Sequence, residues 1–400
     1  MAAAQQINNF EPTQISAAEL VSRATALSRN AADRAAQTEQ ARRISEETVQ
    51  EMEAKGLTSL LRPRRWGGLE MNWRTFLDTV VAGSRGCGST GWILSLLNSH
   101  NWVMAQFPEA AQQRVWGSNP LARISTSFMP TGKGARVDGG IRISGRWQWS
   151  SGVDVCGWAL VSVLMPPRSG EGPPRIISCL VERKDFKVED TWYNVGLRGT
   201  GSNDILVDDV FIADDMTLDL IDLREGVSPG NRINTGGLYQ LPMYTALPLS
   251  IAAAALGIAQ GARETWIATT REKVSSSTRE QVSGQVPLQT RLADADVEID
   301  LAEMLLHRVT DSLETGSVSL LQRYRNRRDF SYAIRIAYGA VDKLFQMGGA
   351  RGLVDSNPLQ RAWRDLHSAS CHVALSPDIA AENQGRSLLG LDRNPSDPFF

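Results

Sequence analysis

The hydrophobic period of this chain changes twice along its 400 residues. From about residue 121 to 225, short β-branched and aromatic runs (141–149, 158–165, 176–181, 205–212) alternate with Gly, Pro and Asp turns such as Val137-Asp-Gly-Gly140. Strands packed this closely in sequence predict a small antiparallel barrel or sandwich. On both sides the period is helical. Ser16 and Glu19 form a capping box at the start of an Ala/Leu-rich helix. Ser45 with Glu46 and Glu47 opens another helix, and Gly56 stops it. Farther on, Leu292, Ala293, Val297, Ile299 and Met304 share a helical period, as do Ala333, Ile336, Ala337, Ala340, Val341 and Leu344. Two long helices with short connections predict an up-down, four-helix bundle. The expectation is an α+β chain in three parts: helical over 1–120, β over 121–225, and a helical bundle over 226–400.

Composition excludes several classes. Net charge is −2, which leaves no basic field for nucleic acid. Cys87, Cys156, Cys179 and Cys371 are scattered with no CxxC pair, so reduced thiols of a cytoplasmic protein are expected and no metal site. Residues 1–12 lack the basic and apolar regions of a signal peptide. The most apolar run, 246–259, is broken by Pro248, Ser250 and Gly257 and falls short of the roughly 20 residues of a membrane span, so it reads as a buried helix. Gly199-Thr-Gly201 lacks the third glycine and the strand–helix setting of a dinucleotide fingerprint, so no nicotinamide site is expected.

Some residues could carry chemistry. In Trp147-Gln-Trp149-Ser-Ser151-Gly152 an aromatic, a hydroxyl and a glycine close a strand, which offers a flat surface and a hydrogen-bonding group to a planar ring; the plain alternative is a Trp-rich strand buried in the β part. The histidines number four, His100, His307, His367 and His372. Imidazole is the natural proton carrier near neutral pH, although a histidine in an apolar helix such as His100 can equally be a satisfied core residue. His367 and His372 are five apart, about 140° on a helix, so only one should face a given site. Arg271 suits a phosphate, or is simply solvated in Arg271-Glu-Lys273.

Gln346-Met-Gly348-Gly349-Ala-Arg-Gly352, followed by Arg364-Asp365, resembles the C-terminal signature of acyl-CoA dehydrogenase-like flavoproteins, and the helical–β–helical layout extends that resemblance over nearly the whole chain. Those dehydrogenases often carry a carboxylate base about eight residues after the Asp; Val373 stands there, preceded by His372. Together with Ser151-Gly152, this resembles the flavin-dependent monooxygenases of the fold, the oxygenase components of two-component aromatic hydroxylases. The resemblance implies that Trp149 packs on the flavin and Ser151 meets its N5. Thr126 and Ser127 line the pyrimidine side, where the dehydrogenase Glu of Thr-Glu-Pro is replaced. Arg271 would reach the phosphate of a neighbouring subunit's flavin, and Gln346, Gly348 and Gly349 would approach it across a homotetramer interface supplied by apolar helices such as 333–345. It further implies reduced FMN or FADH2 from a separate NAD(P)H-dependent reductase, dioxygen as co-substrate, a C4a-hydroperoxyflavin, and a small phenolic or indolic substrate. His372 is favoured over His367 as the residue beside the peroxide, and His100 would position the substrate or take its proton. The rivals are an acyl-CoA dehydrogenase or oxidase, for which Glu382 is the nearby carboxylate, and an inactive scaffold of the same fold.

Overall fold

The computed structural model describes residues 15–167, 172–275, 279–395 and 397. Residues 1–12, read for a signal peptide, and part of the Gly/Pro/Ser loop at 166–174 lie outside that set. Helix α1 (Ala17–Ala41) starts where expected, with Ser16 Oγ accepting the Glu19 amide. The Glu19 carboxylate turns to Arg23 instead (2.8 Å), so the capping box is half closed. Ser45 caps α2 (Glu46–Ala54) and Asn72 caps α3 (Trp73–Ser84). Helix α4 (Gly88–Met104) is buried along nearly its whole length, and α5 (Glu109–Trp116) completes the first helical layer.

Among the described residues seven strands follow: β1 (Ile124–Val137), β2 (Gly140–Ser150), β3 (Trp158–Met165), β4 (Arg175–Glu182), β5 (Lys187–Glu189), β6 (Asn203–Ala213) and β7 (Thr217–Asp219). Their order is β5-β6-β2-β1-β3-β4-β7. This corrects the closed, all-antiparallel barrel. The sheet is not closed, because β5 and β7 end it without pairing, and β1 runs parallel to β3. The long strand β1 serves two ladders: residues 124–127 and Gly132 pair with β3, residues 133–137 with β2. Pro130 lies at the register shift of the β1–β3 ladder, between Ser127 and Gly132; lacking an N–H, it cannot continue a ladder.

The remaining helices are α6 (Leu220–Glu225), α7 (Met243–Ala246), α8 (Pro248–Arg271), α9 (Val286–Leu313), α10 (Leu320–Met347), α11 (Pro358–Ser370) and α12 (Pro377–Leu388). Helix α8 is central, packing on α3, α4, α9, α10 and α11. Gly257 and Gly261 allow this: a Cβ there would stand 2.5 Å from Ser84 Cβ and closer still to the Arg85 carbonyl oxygen. The segment Met243–Arg271 is long and apolar enough to pass for a membrane span, but it is buried within the protein. Ala333, Ala337, Ala340, Val341 and Leu344 of α10 are also buried in the chain's own core, so they are not the subunit interface expected of 333–345. The exposed apolar stripe lies on α9, at Val297, Leu301 and Met304.

Candidate active site

Strand β2 ends in a bulge, its register against β6 shifting between Trp147 and Ser150. Trp147 points inward and donates to the Ser162 carbonyl at 2.6 Å. Two residues on, Trp149 has φ +65° and is 64% exposed. A bulky residue in this region is strained by about 1–3 kcal/mol. Such bulges re-aim side chains beside functional sites. Ser150 is fully buried, yet its Oγ has no hydrogen-bond partner among the described residues. The chain then turns at Gly152 (φ +71°), where a Cβ would press on Ile93 of α4.

Ser151 is held from two sides. The Trp92 indole N–H donates to its Oγ at 3.3 Å. Ser202 Oγ lies 2.7 Å away and is in turn 2.7 Å from Thr200 Oγ1, which donates to the Leu197 carbonyl at 2.9 Å. The Trp92 ring also meets His372 edge-on, with 6.1 Å between ring centres. His372 does not lie on α11, as its spacing from His367 had predicted. The helix ends at Ser370, where the Cys371 and His372 amides close on Ser368 and Ala369, and His372 instead caps the next turn. The Ala374 N–H donates to its Nδ1 at 3.1 Å, so the neutral ring carries its proton on Nε2. Dense surroundings, and secondarily the Arg327 guanidinium, push its pKa down. Solvent reaches this ring, which weakens the effect relative to the enclosed His100.

His100, on α4, is buried with both ring nitrogens engaged. Nδ1 is 2.7 Å from the Ile124 carbonyl, which can only accept, so Nδ1 carries the proton. Nε2 then accepts from the Thr126 hydroxyl at 3.0 Å. Burial lowers its pKa to about 4. Ser127, the next residue of β1, donates to the Gln148 carbonyl (2.8 Å) on β2. His367 sits between the rings of Tyr338 and Trp363 (4.3 and 4.1 Å), bonded to the Trp363 carbonyl and 3.3 Å from Asp342, so it faces α10.

At the other end of α11, Arg271 is exposed at the C-terminus of α8, as are Gln346 and Gly349 at the end of α10, with Gly348 half-buried between them. Lys273 approaches the Gly348 carbonyl at 3.5 Å. Lys273, Gly348, Arg351 and Asn357 line a pocket of about 300 Å³ there. Gly349 adopts φ +65°, ψ −165°, a conformation essentially reserved for glycine. From Leu359, which also lines this pocket, to the helix end at Ser370 is eleven residues, about 16 Å at the helical rise of 1.5 Å. The cationic Gly-turn and the Trp92–Ser151–His372 cluster are thus separated within one chain.

Sequence reasoning gave Trp92, Thr200 and Ser202 no site role and missed what the Arg-Asp signature does here. Asp365, fully enclosed, accepts the Leu197 amide at 2.6 Å, and Arg364 bonds Glu39 (2.5 Å) and the Val195 carbonyl (2.8 Å). The pair fastens α11 to α1 and to the turn that carries Thr200 and Ser202. Gly199 donates to Ser89 of α4 at the same junction. The signal was available in Arg198-Gly-Thr-Gly-Ser202, but its meaning depends on contacts remote in sequence.

The chain matches the acyl-CoA dehydrogenase N-terminal domain over residues 18–122 and the C-terminal domain over 249–377. It is 37% identical to the oxygenase subunit HsaA of a flavin-dependent monooxygenase from Rhodococcus jostii, over 90% of this chain and 95% of that one. It is 33% identical to the oxygenase component of an FADH2-dependent resorcinol hydroxylase from Rhizobium sp., over 90% and 91%. The crystal structure of 3-HSA hydroxylase from Rhodococcus sp. superimposes with a TM-score of 0.89 at 35% identity, covering 94% of this chain and 98% of that one. The chain belongs to the flavin-dependent monooxygenase oxygenase subunits built on the acyl-CoA dehydrogenase fold.

Proposed function

We propose that this chain is the oxygenase component of a two-component system that hydroxylates a small phenolic or indolic compound, with reduced FMN or FADH2 delivered by a separate NAD(P)H-dependent reductase in the bacterial cytoplasm. The observation that carries the reading is Trp92, which joins Ser151 at the end of β2 to His372 beyond α11. The residues fit a flavin. Trp149 is an exposed, strained aromatic suited to cover a planar ring, and the unpaired Ser150 Oγ lies beside it. Arg271 with Gln346, Gly348 and Gly349 suits a phosphate-bearing tail. Its separation from Ser151 supports service to a neighbouring copy's cofactor, in a homotetramer whose C-terminal helices close as a four-helix bundle. Exposed Val297, Leu301 and Met304 offer the apolar surface for that assembly.

Bound reduced flavin supplies the activation of dioxygen. The chain's own residues do the rest. Trp149 would cover the plane of a bound flavin and Ser151 Oγ would meet its N5, while Thr126 and Ser127 would border the ring's other side. His372, with its proton on Nε2, would supply that proton to the reacting oxygen. His100 is neutral and enclosed, so with Thr126 it positions the substrate rather than serving as a strong base. The dehydrogenase reading lacks its base: Val373 is apolar, and Glu382 is exposed on α12 with its carboxylate bound by the Asn394 amide at 3.0 Å. The test is turnover with a generic flavin reductase, NADH and a panel of phenols and indoles. Hydroxylated product supports the reading, whereas bleaching of bound flavin by an acyl-CoA supports the dehydrogenase.

A further inference from the structure

The hydroxyls behind Ser151 form a chain whose direction is fixed by its far end. The Leu197 carbonyl can only accept; it takes the Trp192 indole N–H at 2.9 Å and the Thr200 amide at 3.1 Å, and the Thr200 hydroxyl, also at 2.9 Å, can bond it only by donating its single proton. Thr200 Oγ1 then has no proton left for Ser202, and Ser202 must donate to it at 2.7 Å. Ser202 in turn has none left for Ser151, so Ser151 donates to Ser202, also at 2.7 Å. One lone pair of Ser151 Oγ takes the Trp92 N–H. What remains free on Ser151 Oγ is a single lone pair and no proton.

We propose that Thr200 and Ser202 are positioning residues that set the polarity of Ser151 and thereby make the site selective for reduced over oxidised flavin. This rests on the placement of Ser151 at flavin N5 proposed above. In reduced flavin N5 bears a hydrogen and donates, which complements the free lone pair. In oxidised flavin N5 is itself a lone-pair acceptor, so the two atoms meet without a proton between them. Trp92 narrows the choice further, because its N–H fills one direction of Ser151 Oγ and leaves the proton only Ser202 or the ring. The chain is well anchored: Thr200 and Ser202 are buried, Gly152 N–H bonds the Thr200 carbonyl at 2.8 Å, and Asp365 grips the Leu197 amide. Reorienting the hydroxyls would require abandoning the Leu197 bond.

The experiment measures anaerobic binding of reduced FMN and FAD, and binding of the oxidised forms, to the full chain and its variants. In Ser202→Ala the Ser151 proton is released to rotate and can reach an N5 acceptor. The ratio of oxidised to reduced Kd should fall roughly three- to tenfold, the worth of one hydrogen bond. Thr200→Val should act in the same direction, and Thr200→Ser, which keeps the hydroxyl, should retain the parent ratio. A general loss of structure would weaken both forms and leave the ratio unmoved; circular dichroism and thermal melts verify the fold. If the parent prefers reduced flavin and folded Ser202→Ala and Thr200→Val both keep that preference in full, the relay is refuted while the flavin site stands. If the parent shows no preference for reduced flavin, the relay and the placement of Ser151 fall together.

Discussion

The indole of Trp92 meets the imidazole of His372 edge-on at 6.1 Å, while its N–H bonds Ser151 at 3.3 Å. One side chain on α4 thus sets the spacing between a residue that ends β2 and one that follows α11. Trp92→Phe keeps a ring against His372 and removes only the N–H. The lost bond is worth about 0.5–1.5 kcal/mol. Peroxide released per NADH consumed should rise up to about tenfold, with little change in the melting temperature. Unchanged coupling would reduce Trp92 to a packing residue.

His372 and His367 should behave oppositely. His372 carries its proton on Nε2 and is the proposed proton donor, and general acid–base groups typically contribute about 10²–10⁴-fold. His372→Ala should therefore lower hydroxylation relative to oxygen use by an order of magnitude or more. His367, set between Tyr338 and Trp363, should show its loss in stability, since such ring pairs are worth about 0.5–1.5 kcal/mol each. Product coupling and thermal melts of both variants separate the roles. A His367→Ala enzyme that is stable but uncoupled would reverse the assignment.

His100 should stay neutral throughout the working range. Its pKa in the fold, about 4, lies below the ordinary 6.5. Its contribution to stability is therefore full above pH 6.5 and is lost as pH falls through 4. Nitrogen-15 NMR of the imidazoles should show Nδ1 protonated, Nε2 bare, and no titration between pH 5 and pH 8. A midpoint near 6.5 would mean that the ring is not enclosed with Ile124 and Thr126.

Asp365 has the opposite sign. Burial raises its carboxyl from 3.8 to about 7, outweighing the Leu197 amide that favours the charged form. Its stabilising contribution is full below pH 3.8 and lost as pH rises through 7. At 1.36 kcal/mol per pH unit the interval amounts to on the order of 4 kcal/mol. Asp365→Asn keeps an acceptor for Leu197 and removes the buried charge. In urea unfolding, the variant should gain on the parent between pH 5 and pH 8. Parallel profiles would show that Asp365 titrates normally.

Local rules carried much of the fold into the sequence. Ser16, Ser45 and Gly56 stop and start helices through contacts within a few residues, and the β-branched and aromatic runs at 141–149 and 205–212 fall in strands. What failed was what depends on remote partners. The parallel pairing of β1 with β3 leaves no mark in either strand's own pattern. Apolar spacing at 333–345 shows an inward face but not whether its partner is the same chain. The helix end before His372 depends on the turn at Cys371, which helical spacing cannot show. The candidate site could be read where a motif names its residue types, as in the proposal for Trp149 and Ser151. It was illegible at Trp92, Thr200 and Ser202, whose roles exist only once α4, β2 and the turn at Leu197 meet.

The most direct measurement is incorporation of ¹⁸O from labelled dioxygen, with this chain, NADH, FMN or FAD, a separate flavin reductase and a phenolic or indolic substrate. One labelled oxygen atom per hydroxylated product is expected, only when the reductase is present, and this chain alone should leave NADH unconsumed. Robust NADH oxidation by the chain alone would contradict the two-component assignment, and so would product whose new oxygen comes from water.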